Sequence, residues 1–417
     1  MASHHKPNRL HRSPWGPLAL LTAAAMGLSA CGGGEDDEPA LRAEADPQPA
    51  ELTPKMAAAV QANATVPLEK KAADLARRMG KPPQFMVGVG GASLDEVQRQ
   101  GLAPDLYDRY LVGIGAGSWP TWNSPAGAYV GVVAQEAAAA GAVPMFTLYQ
   151  MAAWGDGNLS GLRQRTYMRQ YWNNVRILVK ALGQWGRPAL LNLEPDFWGY
   201  AQRLSADPNR LTVQVKSVNP DCANQPNTAT GMAACLLQMV RQNAPQTLVG
   251  FVPSSWGDLA GTEVAYLRRL GAHQADYVAI QTLDRDAGCF EAGYMGDDAL
   301  CNRPNPEPYL WDDTNQRTPS FTQHLQSVRA IHEGLALPVV WWQTPMGVPS
   351  DTPGGTPGAF RDNRTRYFLT RTQELVAAGG AAAVFSPGHH SQTDLRTDGG
   401  QHQRLSAAYR AAPVALP

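Results

Sequence analysis

Eight short apolar runs, each followed by a longer stretch with helical periodicity, constrain this chain more than any other feature. The runs occupy residues 85–89, 110–114, 143–149, 189–193, 247–252, 277–282, 338–343 and 381–385. Amphipathic segments lie between them at 128–140, 162–185, 229–242, 261–270, 321–333 and 363–378. Strand alternating with helix predicts a parallel sheet with helices outside it. Eight such units between residue 85 and the C-terminus fit a (β/α)8 TIM barrel, with an open doubly wound sheet as the alternative. After the first run, Gly88-Val89-Gly90-Gly91 lacks the spacing of a dinucleotide fingerprint and reads as a tight turn. No cofactor is therefore expected.

Composition agrees with a large packed core. Of the 417 residues 44% are hydrophobic and 17% charged. Length alone suggests two or three domains, but barrels of this kind run past about 200 residues as one unit. The charge balance, 35 − 36 = −1, with no basic run beyond the first dozen residues, gives no footprint for nucleic acid. A monomer is expected.

The first 64 residues read as address and tether. Lys6, Arg9 and Arg12 precede an apolar stretch at 18–28 that is too short to span a bilayer. Leu28-Ser29-Ala30-Cys31 resembles the lipobox of bacterial lipoproteins. That resemblance implies cleavage before Cys31, lipidation of Cys31 and, with Gly32 rather than Asp next, a cell-envelope protein anchored at the outer membrane. A secreted protein with a chance Cys is the alternative. Residues 31–64, rich in Gly, Glu, Ala and Pro, have the composition of a solvated tether. The expected organisation is a signal peptide at 1–30, a tether at 31–64 and a barrel at 65–417. Export suits the remaining four cysteines, Cys222, Cys235, Cys289 and Cys301. Their spacing suggests two local disulfides, although four Cys allow three pairings. A zinc site lacks its CxxC spacing.

A barrel places its chemistry at the C-terminal ends of its strands. Those ends carry seven of the eleven Trp: Trp119, Trp122, Trp154, Trp198, Trp256, Trp341 and Trp342. Any one of them can belong to the core. Together at one rim, their flat faces suit the apolar faces of sugar rings. Tyr149, Gln150, Asn192, Gln281, Gln343, Arg285 and His389 are the candidate partners for sugar hydroxyls.

Glu194 is the leading catalytic candidate. Side-chain alternation puts Asn192 and Glu194 on one face of the fourth strand, pointing into the barrel mouth. Partial burial there raises a carboxyl pKa, as a general acid requires. Asn192-Leu193-Glu194-Pro195 resembles the Asn-Glu-Pro strand end of (β/α)8-barrel glycoside hydrolases, with one residue inserted. It is also similar to the Asp-x-Glu strand of barrel-type lysozymes. The resemblance implies a glycosidase with an acid/base Glu at this position. It departs at the seventh strand, where Gln343 stands in place of a nucleophile carboxylate. The other rim carboxylates are Asp196, Asp284 and Asp286. Strands spaced about 4.8 Å apart put a strand-six Asp roughly 8–10 Å from Glu194, within the range of inverting enzymes. The expected mechanism is inverting, with Glu194 as acid and Asp284 or Asp286 activating water.

His389-His390 suggests hydrogen bonding rather than a metal, because no His-x-His marks the first strand. Ser254-Ser255 is not a nucleophile elbow. A Cys289–Cys301 bridge would pin the loop after the sixth strand over the mouth, with Phe290, Tyr294 and Trp311 as a wall. The rival reading is a non-catalytic carbohydrate-binding lipoprotein on a barrel that has lost one carboxylate.

Overall fold

Eight parallel strands hydrogen-bond in sequence order and close on themselves, β8 pairing back to β1. The strands are β1 Met86–Gly90, β2 Leu106–Val112, β3 Val143–Tyr149, β4 Ala189–Leu193, β5 Thr247–Phe251, β6 Tyr277–Ile280, β7 Val339–Pro345 and β8 Gly380–Ser386. This computed structural model describes residues 65–254, 262–293, 301, 309–388 and 392–417, with 54, 58 and 61. The fold is the expected (β/α)8 barrel rather than an open sheet. The signal peptide, the tether apart from residues 54, 58 and 61, which are helical, Cys31, Trp256, Tyr294, His389 and His390 lie outside the described residues.

The described helices are α1 Lys71–Arg78, α2 Leu94–Arg99, α3 Ala128–Ala139, α4 Arg165–Trp185, α5 Phe197–Leu204, α6 Ala229–Asn243, α7 Thr262–Leu270, α8 Ala287–Ala292, α9 Phe321–Leu335, α10 Arg364–Thr370, α11 Thr372–Ala377 and α12 Gln401–Ala411. The segment expected as one helix at 363–378 breaks into α10 and α11 at Arg371, whose ψ of 38° is not helical. Caps set several starts: the side chains of Ser93, Thr228 and Ser320 accept backbone N–H bonds at α2, α6 and α9. In α4, Tyr167, Met168, Tyr171, Trp172, Val175, Leu178, Val179 and Leu182 form one buried face. That helix stops at Gly186, which takes the positive φ a C-terminal cap needs.

The N-terminal ends of the strands are tied by ions. Asp276, just before β6, accepts from Arg241 of α6 at 2.7 Å and Arg78 of α1 at 2.5 Å, and its other bond is to the Val249 amide. Burial alone would raise this carboxyl, but Arg241 and Arg78 outweigh it and hold it below the usual range. Two local disulfides close as the spacing suggested. Cys222–Cys235 ties the approach to α6 to the helix itself, and Cys289–Cys301 ties α8 to the loop beyond it, with Cα–Cα distances of 5.6 and 5.4 Å. Among the described residues no helix is long and apolar enough to cross a membrane.

β2 begins four residues before its expected start. Asp108 and Arg109 interrupt its apolar pattern, so sequence alone hid it. Arg109 faces outward, its guanidinium 4.1 Å from the Tyr107 ring centre. Asp108 faces the barrel interior, and that difference leads to the site.

Candidate active site at the barrel mouth

A chain of hydrogen bonds crosses the barrel interior. Trp342 Nε1 donates to Asp108 Oδ2 at 3.3 Å, and the Thr147 hydroxyl donates to Asp108 Oδ1 at 2.9 Å. Asn192 Nδ2 donates to Thr147 Oγ1 at 3.2 Å, and the Tyr277 hydroxyl donates to Asn192 Oδ1 at 2.8 Å. Five strands, β7, β2, β3, β4 and β6, are thereby linked through side chains. Tyr277 has room because its register partner in β5 is Gly250, where any Cβ would run into the Tyr277 ring. Burial pushes Asp108 up to about 6 against the pull of Thr147 and Trp342.

Above this layer the mouth opens around Tyr110. Its ring sits 5.6 Å from Trp342 and 6.1 Å, edge-on, from Tyr149. Its hydroxyl is driven well above its ordinary value, first by burial and then by Asp108, Asp284, the neighbouring Tyr149 hydroxyl and Asp196. Carboxyl groups from β2 and from beyond the ends of β4 and β6 thus all act electrostatically on one phenol. Asp196 and Asp284 are half-buried, and Asp284 is ion-paired with Arg285. The Tyr149 hydroxyl donates to Asp156 and lies 3.5 Å from Asp196. Gln281 and Gln343 meet across β6 and β7 at 2.7 Å.

Backbone strain marks the same rim. Six described non-glycine residues have positive φ, and four of them, Glu194, Asp196, Leu283 and Gln343, stand at the ends of β4, β6 and β7. Such conformations cost about 1–3 kcal/mol each and gather at functional sites. At β7 the irregularity is a bulge between Trp341 and Thr344, which lets Trp342 reach Asp108 while Gln343 reaches Gln281.

Glu194 is not part of the open mouth. Its φ of 45° breaks the alternation that would have set it beside Asn192. The side chain turns behind the end of β3, where Oε2 accepts the amides of Gln150 and Met151, both at 2.9 Å. Tyr171 of α4 lies beside the other oxygen, without a well-aligned hydrogen bond. The residue has zero exposure, and burial lifts its carboxyl to about 8 despite the lowering effect of Met151, Gln150 and Tyr171. Asp286 is also sealed at zero exposure. Burial raises it well above the carboxylate range, and Asp362 adds to the rise.

The other sequence candidates divide. Tyr149, Gln281, Gln343, Arg285 and Asp284 are at the mouth. Asn192 is inside the barrel, consumed by Thr147 and Tyr277. Gln150 turns outward, its Oε1 accepting from Asn174 of α4 at 2.6 Å. Trp119 and Trp198 are core, the latter donating to the Leu193 carbonyl at 2.9 Å. Trp341 packs on the helices and donates to His324 at 2.9 Å. The member of that pair facing the mouth is Trp342. Trp311 is also core, edge-on to Phe321 at 5.1 Å, whereas Phe290 stacks on Tyr309 at 4.1 Å. Trp122 is exposed at the rim. Asp108 and Tyr110 were missed as site residues, and Trp342 was singled out only as one of the strand-end tryptophans. The signal for all three is period-two alternation, once β2 starts at Leu106 and β7 is allowed its bulge.

No family model and no curated protein sequence matches the chain. Solved structures share its architecture. An endo-β-1,4-mannanase double mutant from Cellulomonas fimi is 14% identical, with 83% of this chain and 75% of that chain covered at a TM-score of 0.49. A β-1,4-mannanase from the sea hare Aplysia kurodai is 10% identical, covering 80% and 95% at 0.40. A D-allulose 3-epimerase from Methylomonas sp. is 11% identical, covering 79% and 97% at 0.41. A fold does not by itself fix an activity, and function has to be argued from the mouth.

Proposed function

We propose that this protein is a glycoside hydrolase whose working carboxyl groups are Asp196 and Asp284. The observation that carries the proposal is the layout of the aromatic-lined mouth: Asp196 lies 3.5 Å from the Tyr149 hydroxyl, Tyr149 stands edge-on to Tyr110, and Asp284 follows the end of β6 two strands away. The strands that bear them are two apart, which favours the wider separation of inverting enzymes, about 6.5–9.5 Å. Asp196, next to Tyr149, fits the acid that protonates the leaving oxygen. Asp284, held by Arg285, fits the base that takes a proton from water as that water attacks the anomeric carbon. Tyr110 and Tyr149 supply apolar ring faces, with the buried Trp342 packed against Tyr110, and the Gln281–Gln343 pair supplies hydroxyl partners.

This reading moves the acid role from Glu194 to Asp196. Glu194 is instead a positioning residue. It holds the Gln150 and Met151 amides, and so fixes the turn that follows Tyr149. The test is reducing-sugar release from a panel of polysaccharides, with proton NMR of the first anomer formed. Release by the wild-type chain that Asp196→Asn and Asp284→Asn both abolish supports the assignment. Binding without cleavage by the wild-type chain would replace it with the carbohydrate-binding reading.

For location we propose a lipid on Cys31, with residues 32–64 tethering the barrel at the outer membrane. Mass spectrometry of the mature N-terminal peptide tests this: an unmodified N-terminus beyond Cys31 refutes it.

A further inference from the structure

Of the nine described tryptophans only Trp122 and Trp154 are exposed, at 41% and 45%. Both follow neighbouring strands, β2 and β3, on the side of the barrel where the mouth opens. Neither is loosely held. Trp122 stands edge-on to Tyr129 with ring centres 4.9 Å apart, and its Nε1 already donates to the Gly117 carbonyl at 3.0 Å. Its polar edge is satisfied and its orientation set by Tyr129. Trp154 packs on Tyr167 with ring centres 4.3 Å apart. It closes the short turn Met151–Trp154, whose first amide is gripped by Glu194. Two residues later Asp156 receives the Tyr149 hydroxyl, so the Trp154 turn is tied directly to the mouth.

An indole kept in water is unfavourable in the free protein, and one held by its neighbours gives up little further freedom on binding. Flat, pre-oriented faces, in Trp122 with the N–H already satisfied, suit the apolar C–H faces of pyranose rings better than a ligand that needs hydrogen bonds from the indole. The charge around them narrows the class. Asp156 and Asp196, both at the Tyr149 hydroxyl, border the path from Trp154 to the mouth and would repel a chain of uronic acids.

We infer that Trp122 and Trp154 are sugar-stacking platforms outside the catalytic mouth, and that the protein grips an internal stretch of a non-anionic polysaccharide running over its β2–β3 side. The inference rests on reading the mouth as a glycosidase site, and it adds that cleavage is internal to the chain.

The experiment uses the full chain in two arms. Affinity electrophoresis of the Asp284→Asn protein through gels containing galactomannan, mixed-linkage glucan, pectate or alginate reads binding without hydrolysis. Retardation by at least one neutral polymer and by neither polyuronate is expected, with Trp122→Ala and Trp154→Ala each weakening it about tenfold and Trp154→Phe restoring most of the loss. Unchanged retardation in both Ala variants, or retardation only by the polyuronates or by nothing, overturns the platforms. In the second arm wild-type protein acts on the polymer that binds. A viscosity drop well ahead of reducing-sugar release supports internal cleavage, and release of monosaccharide alone overturns it. Binding that depends on both tryptophans, with no cleavage by wild type, leaves the platforms standing and fails the glycosidase reading.

Discussion

Glu194 and Asp196 stand two residues apart at the end of β4, both with positive φ, yet they live in different surroundings. Glu194 is sealed behind β3, its carboxyl bonded to two backbone amides and pushed up to about 8 by burial. Asp196 is half-buried at the rim, within reach of Tyr149. The one is built into the frame and the other faces what enters the mouth. A carboxyl at the right strand end is thus a necessary sign of barrel chemistry and an insufficient one. What separates the two is the direction the backbone gives the side chain.

The sharpest way to break this contrast is to neutralise each carboxyl in turn. Asp284→Asn and Asp196→Asn should each lower polysaccharide hydrolysis by about 10²–10⁴-fold, the usual worth of general acid–base catalysis. Full activity in either variant removes that residue from the chemistry. Glu194→Gln should instead keep activity within a few fold, because an amide oxygen can still accept the Gln150 and Met151 amides.

Glu194 also makes a pH prediction. Its folded value, about 8, lies above the ordinary 4.5, so the stability tied to its protonated form is complete below pH 4.5 and drains away as pH rises to 8. Thermal melts from pH 4 to 9 should fall less steeply for Glu194→Gln than for wild type. Glu194→Ala, which strands two buried amides and leaves a cavity, should cost about 2–4 kcal/mol by denaturant melts. Loss of catalysis in a well-folded Glu194→Gln protein would return Glu194 to the acid role.

Asp286→Asn extends the contrast to the loop after β6. Asp286 is disfavoured as an anion by burial and by Asp362, so the amide should leave hydrolysis intact and not lower the melting temperature at pH 7. A collapse of turnover in that variant would show that the sealed group takes part. Smallest in effect is Trp342→Phe. It removes one hydrogen bond to Asp108 and should cost about 1 kcal/mol. Because that bond is one of the groups pulling Asp108 down, the titration near pH 6 should move upward, measurable by NMR of the Asp108 carboxyl carbon.

Much of the fold was legible because barrel strands are short apolar runs with helices between them. β3 and β4 fall where alternation put them, and the closed sheet follows from eight repeats. β2 was displaced because Asp108 and Arg109 look like a turn to a reader seeking unbroken apolar residues. The site was less legible because it depends on departures from regular geometry. Alternation placed Glu194 in the mouth, and position at a strand end placed Trp341 and Trp342 there alike, whereas a φ of 45° turns Glu194 aside and the β7 bulge brings only Trp342 inward. Tyr149 was found because it is the last residue of an unbroken β3, whereas Asp284 comes to the mouth past the positive φ of Leu283 and was found only as an acid beyond a strand end. Trp119 and Trp198 illustrate the opposite error, since proximity to a strand end does not say whether an indole looks up at solvent or down at the core.

The glycine at 250 beneath the Tyr277 ring means that these two positions exchange volume only as a couple. Enlarging residue 250 alone would evict the phenol and unlace its link to Asn192, while trimming residue 277 alone would hollow the barrel floor. Redesign of this floor therefore has to proceed by paired replacement, and a library that varies one site at a time would miss every workable combination.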